Sequence, residues 1–408
     1  MRHRTVKLIH RLILSNGFTL LGDVQPHFHS VSFAFWTGLG SVWDPVGKYG
    51  LAAFVCEMML RGAGNLSNRQ FLETIDRIGI DRTESLTAST LEFRASMLAE
   101  NLEAALDLYA DLLCRPVLPR EQMEDGRQVL LQEISFSEDN PENRLGLAMD
   151  EQFFGPAWGH DDDGNREGIE SITWEDVRAQ YDALMMPNRY VLAIAGNFDW
   201  DKTTEKVKRL FGDWEPKTEP ELPPNEPRRE SLHISFDSPQ AQMSLGWEIT
   251  PLLEPGWRAE WAGISILGGG MNSRLFNEVR EKRGLCYDVE AHCVSVHHKA
   301  GAFCTASCRE ENARETLDVI RSEIERLQEG VTEEELRAYK ARHRMALVME
   351  QESSLSLATG LITDWKRLGR IRTFEEISAE VQSLTVEKVN DVLRRKPARN
   401  ILVCTQGR

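Results

Sequence analysis

Two stretches of this sequence carry acidic or sulfur side chains at a spacing that could suit a metal ion. The loop over residues 159–168 holds three consecutive aspartates, and Cys304 and Cys308 lie four residues apart further along. Carboxylates are ligands of calcium, and thiolates are ligands of zinc. However, the loop lacks the alternating oxygen ligands of an EF-hand, and the two cysteines fall in a predicted strand with a poor spacing for zinc. We therefore interpret the loop as a solvated connector and the cysteines as packing residues.

Arg280 and Tyr287 are candidates for a site that binds through hydrogen bonds rather than through a metal, because a guanidinium and a phenol are both hydrogen-bond donors. They lie seven residues apart, on either side of Gly284, which is expected to end a helix before the next strand begins. By spacing alone they also fit a surface ion pair at a helix C-terminus and an ordinary strand start. The residues themselves leave both interpretations open.

The elements that position these residues are indicated by turn and helix signals. Asn16-Gly17 between two apolar runs predicts a hairpin over 10–23. The apolar spacing of 49–64 predicts one helix, which Gly62 and Gly64 end. Further predictions are helices that begin with capping boxes at Ser67, Thr173 and Thr332, helices over 101–113, 119–138 and 313–330, a helix-rich segment over 261–284, and strands over 86–97 and 188–198.

The sequence contains one long internal repeat. Thr173 and Asn188 match Thr385 and Asn400, and both pairs are 212 residues apart. A repeat of this length predicts a duplicated domain rather than a solenoid. Strand runs mixed with helix pairs predict an α+β fold, in which each domain has a mixed, mostly antiparallel sheet covered by helices.

A proline-rich stretch over 215–229 separates the two copies of the repeat. Its five prolines and many charges predict an extended, semi-rigid linker. The predicted organisation is therefore an N-terminal domain over 1–214, the linker over 215–229 and a homologous C-terminal domain over 230–408.

Composition limits the function classes. The 408 residues suffice for large cores, and a net charge of −16 argues against nucleic acid and membranes as partners. No stretch is long enough to span a membrane, and the basic start over residues 1–17 lacks a signal-peptide core. The seven cysteines form no C-x-x-C pair and fit reduced thiols. We predict a cytoplasmic protein of bacterial type, with a removed leader left open.

Several motifs, in order along the whole chain, resemble the pitrilysin/insulinase family of zinc peptidases, the inverzincins. LSNGFTLLGD resembles the family's opening hairpin, and residues 49–64 resemble its active-site helix. EDGRQVLLQEISFSEDNPENR resembles the helix with its third metal ligand, and GGGMNSRLFNEVREKRGLCYDVEA resembles the signature of its second domain. The length is similar to that of one mitochondrial processing peptidase subunit. The resemblance implies two homologous domains that form half of a clamshell.

The resemblance also implies which residues should form the zinc site, and most of them are absent here. The family's two histidines fall on Ala53 and Glu57, and the glutamate that acts as general base falls on Cys56. Only the distant ligand is kept, as Glu133. Arg82 stands where the family often has an asparagine before the edge strand that binds substrate. The resemblance therefore implies no metal or cofactor in this chain, with zinc expected in a partner subunit.

At Arg280 and Tyr287 the family pattern is intact. In the family, such a pair reaches the zinc site of the other half and holds the substrate backbone and the developing oxyanion. Some bacterial members divide the zinc motif and the Arg/Tyr pair between two chains. The resemblance thus implies a zinc-free subunit, inactive alone, of a metallopeptidase that hydrolyses peptides. Its partner is a homologous H-x-x-E-H chain, in a heterodimer or a dimer of heterodimers.

Two other hypotheses stay open at this point. The first is a catalytically inactive structural or assembly protein of the same fold, as core subunits of a respiratory complex are in this family. A homodimer is the form expected of such a protein. The second is a hydrolase with a remodelled metal site built on Cys56, Glu57 and Glu133.

Overall fold

The computed structural model describes residues 9–408 of the chain. The start of the basic stretch 1–17, on which the prediction of a missing signal peptide rests, lies outside the described residues. Along residues 9–408, no helix combines the length and the apolar character that crossing a membrane requires.

The helices and strands are numbered along the chain. The strands are β1 (Ile9–Ile13), β2 (Thr19–Val24), β3 (Ser30–Trp36), β4 (Gly62–Ala63), β5 (Leu66–Ser67), β6 (Asp81–Leu86), β7 (Leu91–Leu98), β8 (Val191–Gly196), β9 (Leu232–Ser235), β10 (Gln240–Glu248), β11 (Cys286–Val296), β12 (Lys299–Arg309) and β13 (Leu402–Gly407). The helices are α1 (Leu51–Met59), α2 (Asn68–Ile78), α3 (Leu102–Cys114), α4 (Met123–Glu138), α5 (Pro141–Phe154), α6 (Arg166–Ser171), α7 (Trp174–Leu184), α8 (Trp200–Phe211), α9 (Trp257–Gly268), α10 (Ala313–Leu327), α11 (Glu333–Glu350), α12 (Ser354–Leu368), α13 (Phe374–Gln382) and α14 (Val386–Arg395).

The chain forms two compact units, and each is assembled from separate segments. The first unit comprises residues 9–135, 161–223 and 349–371, and the second comprises residues 136–160, 224–348 and 372–408. Each unit therefore contains one segment from the far side of the proline-rich stretch. Residues 215–229 contain no helix or strand.

The first unit contains a six-stranded sheet in the order β1-β2-β8-β3-β7-β6. Strands β2 and β8 pair in parallel, and the other neighbours are antiparallel. Helices cover both faces of β8, so all six of its residues are buried. Leu192 and Ile194 join the core formed with α1 and α3, whereas Ala193 and Ala195 pack with Leu361 of α12 on the opposite face.

The second unit contains a five-stranded sheet in the order β11-β12-β10-β13-β9, in which only β13 and β9 are parallel. Helix α5 packs on β10 and β13. Two glycines of the sheet make room for large side chains of this helix. A Cβ at Gly301 would lie 2.6 Å from the ring of Phe153, and one at Gly246 would lie 3.2 Å from the sulfur of Met149. The prediction of two mixed, mostly antiparallel sheets covered by helices is confirmed.

Local signals predicted most element positions. The Asn16-Gly17 hairpin is β1 and β2, and the predicted buried strand over 188–198 is β8. Capping boxes are present at Ser67 and Thr173, and Thr332 and Glu335 bond reciprocally before α11. These predictions are confirmed.

Three predicted elements differ from the structure. The helix predicted over 49–64 ends at Met59, because Gly62 begins the short strand β4, which pairs with β5. The strand predicted over 86–97 is a hairpin, in which a turn from Thr87 to Thr90 joins β6 to β7. In the helix-rich segment 261–284, α9 ends at Gly268 and a π-helical turn follows over Phe276–Glu281.

Candidate functional site

Asp44 fixes the start of the helix that carries Cys56 and Glu57. Its buried carboxylate accepts hydrogen bonds from the backbone N–H groups of Gly50 (2.7 Å) and Ala52 (2.8 Å). The negative charge also complements the positive end of the helix dipole. Gly50 has a φ of 99°, a left-handed conformation that strains other residues and that turns the chain into α1. Asp44 was not predicted from the sequence, because a capping residue is expected immediately before a helix and Asp44 precedes Leu51 by seven residues.

We expect Asp44→Ala to lower the free energy of unfolding by about 1–2 kcal/mol, because two backbone donors of α1 lose a charged acceptor. Chemical denaturation of the wild type, of Asp44→Ala and of the near-isosteric Asp44→Asn measures the loss. The asparagine variant keeps an acceptor oxygen and is expected to fall between the other two. Equal midpoints for all three chains would show that the cap contributes nothing.

Ala53, Cys56 and Glu57 lie on α1, but their chemistry does not fit a zinc ion. Ala53 is buried and has no donor atom. Burial, followed by the negative charges of Glu84 and Glu57, raises the pKa of the Cys56 thiol and so disfavours the thiolate that would bind a metal. Glu57 pairs with Arg61, whose Nη2 lies 2.7 Å from its Oε1.

A catalytic zinc site needs three protein ligands, and α1 does not supply them. Within residues 9–408, no group of three or more His, Cys, Asp or Glu residues is arranged to hold a metal ion. The donor groups of Cys56, Glu57 and Glu133 therefore do not support a remodelled metal site.

Glu133 lies on α4, and Gly126 of the same helix allows a close approach to α1. A Cβ at Gly126 would lie 3.2 Å from the sulfur of Met58 and 3.5 Å from Cγ of Glu57. Desolvation by the surrounding protein, followed by the negative charges of Asp163 and Glu57, raises the pKa of Glu133. The carboxylates of Glu57 and Glu133 are thus near enough to repel each other.

The acidic loop predicted as a solvated connector is packed against the start of α1 over residues 161–168. Ser41 Oγ donates a hydrogen bond to Asp162 Oδ1 at 2.5 Å. A Cβ at Gly164 would lie 2.3 Å from the Cα of Gly50, so only glycine fits there. The charged side chains of this part of the loop are exposed or half-buried, so it is solvated as predicted, and close packing is confined to its two glycines.

Arg82 lies in β6, an edge strand of the six-stranded sheet. Its Nη1 is 2.5 Å from Oε1 of Glu84, two residues along the same strand. The charge of Glu84 raises the pKa of the Cys56 thiol, and that of Arg82 lowers it. At the position where the family often has an asparagine, this chain therefore carries an arginine that is engaged in an internal ion pair.

The pKa values of all seven cysteine thiols are raised, chiefly by burial. Because the thiolate is the reacting form, we expect the native chain to alkylate far more slowly at neutral pH than the unfolded chain. The pKa values of Cys286 and Cys404 are raised to about 11, so their rates should rise with pH throughout the range below that value. Mass spectrometry of iodoacetamide-treated protein measures each site. A rapid reaction of Cys56 at neutral pH would contradict its raised pKa.

The structure brings Arg280 and Tyr287 into contact. The guanidinium carbon of Arg280 lies 4.8 Å from the centre of the Tyr287 ring and 4.7 Å from the centre of the Phe276 ring. Arg280 belongs to the π-helical turn over Phe276–Glu281, and Gly284 (φ 62°) ends the turn with a backbone hydrogen bond to Arg280. Tyr287 is 82% exposed. The guanidinium therefore stacks on two aromatic rings, one of them at the surface.

A β-bulge accounts for the exposure of Tyr287. Cys286 pairs with Cys308 and Asp288 pairs with Ser307, so Tyr287 has no partner residue on β12. Bulges redirect a side chain and are common beside functional sites, as are π-helical turns. The sequence analysis predicted the pair but missed Phe276. The spacing of four residues between Phe276 and Arg280 could have indicated it, since such residues are neighbours on a helix.

Arg280 takes part in no ion pair among the described residues. Glu278 of the same turn binds Lys282 at 2.6 Å and Arg283 at 2.7 Å instead. The surface ion pair considered for Arg280 is therefore not what holds this side chain.

Comparisons with known proteins identify the family. Residues 23–156 match the profile of Insulinase (Peptidase family M16), and residues 171–342 match that of the Peptidase M16 inactive domain. An uncharacterized zinc protease of Rickettsia felis is 29% identical over 388 residues, which cover 93% of this chain and 92% of that protein.

Two solved structures show the same fold. A peptidase M16 inactive domain from Pseudomonas fluorescens aligns with a TM-score of 0.89 and 20% identity, over 98% of each chain. A chain of Complex III2 from Candida albicans aligns with a TM-score of 0.84 and 18% identity, over 98% of this chain and 96% of that one. The two family profiles follow one another along the sequence and together span most of it. The chain therefore belongs to the insulinase family, peptidase family M16.

Proposed function

We propose that this chain is the zinc-free subunit of a two-chain metallopeptidase that hydrolyses peptides. It contributes Arg280 and Tyr287, and a homologous partner contributes the H-x-x-E-H zinc site. The observation that carries the proposal is the contact between these two side chains. The guanidinium carbon of Arg280 lies 4.8 Å from the centre of the Tyr287 ring, and Tyr287 is 82% exposed. An exposed aromatic ring that orients an arginine contributes little to packing and is suited to contact a second molecule.

Stacking leaves the hydrogen-bonding capacity of Arg280 available. Its guanidinium lies over the Phe276 and Tyr287 rings, and its N–H groups form no side-chain hydrogen bond or ion pair among residues 9–408. Donors that are oriented before the reaction stabilise the negative charge that develops on a carbonyl oxygen during peptide hydrolysis. The Tyr287 hydroxyl offers one more donor at the same place.

The helix α1 supports a division of labour between two chains. Ala53 offers no ligand, the pKa of Cys56 is raised, and Glu57 is paired with Arg61. The hydrolytic water, its general base and the metal must therefore come from elsewhere. A partner of the same family that carries both histidines and the glutamate would supply all three.

Mixing experiments test the proposal. This chain and the H-x-x-E-H family member encoded in the same organism are assayed separately and together on a quenched fluorescent peptide. We expect hydrolysis only in the mixture, with a complex on size exclusion. A partner that is fully active alone, or a mixture with neither activity nor complex, would contradict the proposal.

The proposed complex is a heterodimer or a dimer of heterodimers, located in the cytoplasm. The seven cysteines are all unpaired, which agrees with a reducing compartment. Sedimentation of the mixture at known molar ratios determines the stoichiometry.

A structural or assembly role is the second candidate. It is favoured by the similarity to a chain of Complex III2, which shows that the fold also occurs outside isolated peptidases. In that case we expect a stable homodimer and no peptide hydrolysis with any H-x-x-E-H partner. The exposed Arg280–Tyr287 pair then has no catalytic role.

A further inference from the structure

Helix α11 carries apolar residues on two opposite faces. Leu336, Tyr339 and Leu347 fall on one face, and all three are buried. Met345 and Val348 fall on the other face, where they are 58% and 40% exposed. A surface helix normally buries one apolar stripe and presents polar residues to water. The second stripe therefore requires an explanation other than packing within this chain.

The preceding helix α10 shows the usual arrangement. Its buried residues include Ile320, Ile324 and Leu327. Its exposed residues are all polar, namely Arg314, Glu315, Asp318, Arg321, Ser322, Glu325 and Arg326. The exposed apolar stripe of α11 is thus not a general property of the helices in the second unit.

Four exposed residues form this stripe, which we call the α11 seam: Ala338, Ala341, Met345 and Val348. Their spacing of three, four and three residues is the a/d pattern by which one helix packs on another in a coiled coil. The alanines allow a partner backbone to approach closely, and methionine adapts its shape to the surface that it meets. At 1.5 Å per residue the seam is about 15 Å long, so it accommodates about three turns of one helix.

Three arginines flank the α11 seam. By helical spacing, Arg337 and Arg344 lie along one side and Arg342 lies along the other, while Glu334 marks the N-terminal end. Among residues 9–408, none of the three arginines forms an ion pair, and Arg342 bonds only to Ser265. In a chain with a net charge of −16, an apolar stripe between unpaired arginines favours a partner of opposite charge.

We propose that the α11 seam binds an acidic amphipathic helix of another protein. Apolar side chains of that helix, three and four residues apart, pack on the seam, and its flanking Asp or Glu residues pair with the arginines. A second copy of this chain does not match, because antiparallel pairing about the middle of the seam sets Arg342 and Arg344 of one copy against those of the other. The inference is independent of the proposed peptidase role.

Binding of a synthetic peptide to the full chain tests the inference. The peptide has three heptads, with leucine at positions a and d and glutamate at positions e and g. A matched peptide carries lysine in place of each glutamate. Fluorescence anisotropy of the labelled peptides gives both affinities. We expect the acidic peptide to bind at least about tenfold more tightly than the basic one, and its affinity should fall as salt is added.

Two variants locate the binding on the α11 seam. Met345→Glu places a charge within the seam, and Arg344→Glu reverses a flanking charge, so each should weaken binding of the acidic peptide at least about tenfold. Val46→Glu and Arg321→Glu make the same chemical changes at exposed positions outside the seam and should leave the affinity unchanged. Because all four positions are exposed, the melting temperatures should stay close to that of the wild type.

Four results would contradict the inference. The first two are equal binding of both peptides and wild-type affinity of Met345→Glu for the acidic peptide. The third is a wild-type dimer in sedimentation that Met345→Glu dissociates, which would assign the seam to a second copy. The fourth is binding to phosphatidylglycerol vesicles, lost in Met345→Glu, without binding of the acidic peptide, which would assign it to a membrane surface.

Discussion

Replacing Arg280 with alanine is expected to lower kcat/KM of the two-chain mixture by about 100-fold. Loss of one oriented donor to a developing oxyanion costs about that much in other hydrolases. The loss should appear mainly in kcat, because the interaction strengthens in the transition state. Initial rates at saturating partner, over a range of peptide concentrations, separate kcat from KM.

Three variants determine whether the loss of kcat/KM arises because the oriented donors of Arg280 are missing. Arg280→Lys keeps the charge but loses the planar group, so we expect an intermediate rate. Tyr287→Phe keeps the stacked ring and removes only the hydroxyl. Arg283→Ala removes a neighbouring arginine that binds Glu278, and its rate should equal that of the wild type. If Arg280→Ala hydrolyses peptide at the wild-type rate within an intact complex, the assigned role is wrong.

Phe153→Ala is expected to have the largest effect on stability, about 3–4 kcal/mol in the free energy of unfolding. The ring is 1% exposed and lies 4.8 Å from the ring of Phe303 on β12, with Arg229 stacked at 4.2 Å. Alanine would leave a cavity between α5 and the five-stranded sheet. Hydrogen exchange of the backbone amides of β10 and β13 measures the loss of stability in the second unit directly.

Phe136→Ala is the matched control, because this ring is 79% exposed. The same chemical change should alter stability by less than about 0.5 kcal/mol there. Equal effects of Phe153→Ala and Phe136→Ala would mean that α5 does not stabilise the five-stranded sheet.

Local patterns made much of the fold predictable. The apolar run of β8 needs burial on both faces, and the capping boxes at Ser67 and Thr173 mark helix starts by their own hydrogen bonds. Such signals depend on a few neighbouring residues. The helices that cover each sheet were not predictable in this way. Nothing within α5 or α12 specifies which sheet lies beneath it, because that choice depends on contacts distant in sequence.

The candidate site was predictable in its residues but not in its geometry. The motif indicated Arg280 and Tyr287, yet the exposure of Tyr287 comes from a bulge, which depends on the pairing of β11 with β12. Asp44 was missed because its two acceptor bonds reach residues six and eight positions later.

The segmented construction of the first unit has a consequence for synthesis on the ribosome. Strand β8 ends at Gly196, but α12, which covers one face of it, begins only at Ser354. At roughly 5–20 residues per second, the intervening chain takes on the order of 10–30 s to emerge. During that time Ala193 and Ala195 have no cover from α12. The nascent chain is therefore expected to present an apolar sheet face to chaperones until residues 354–368 have emerged.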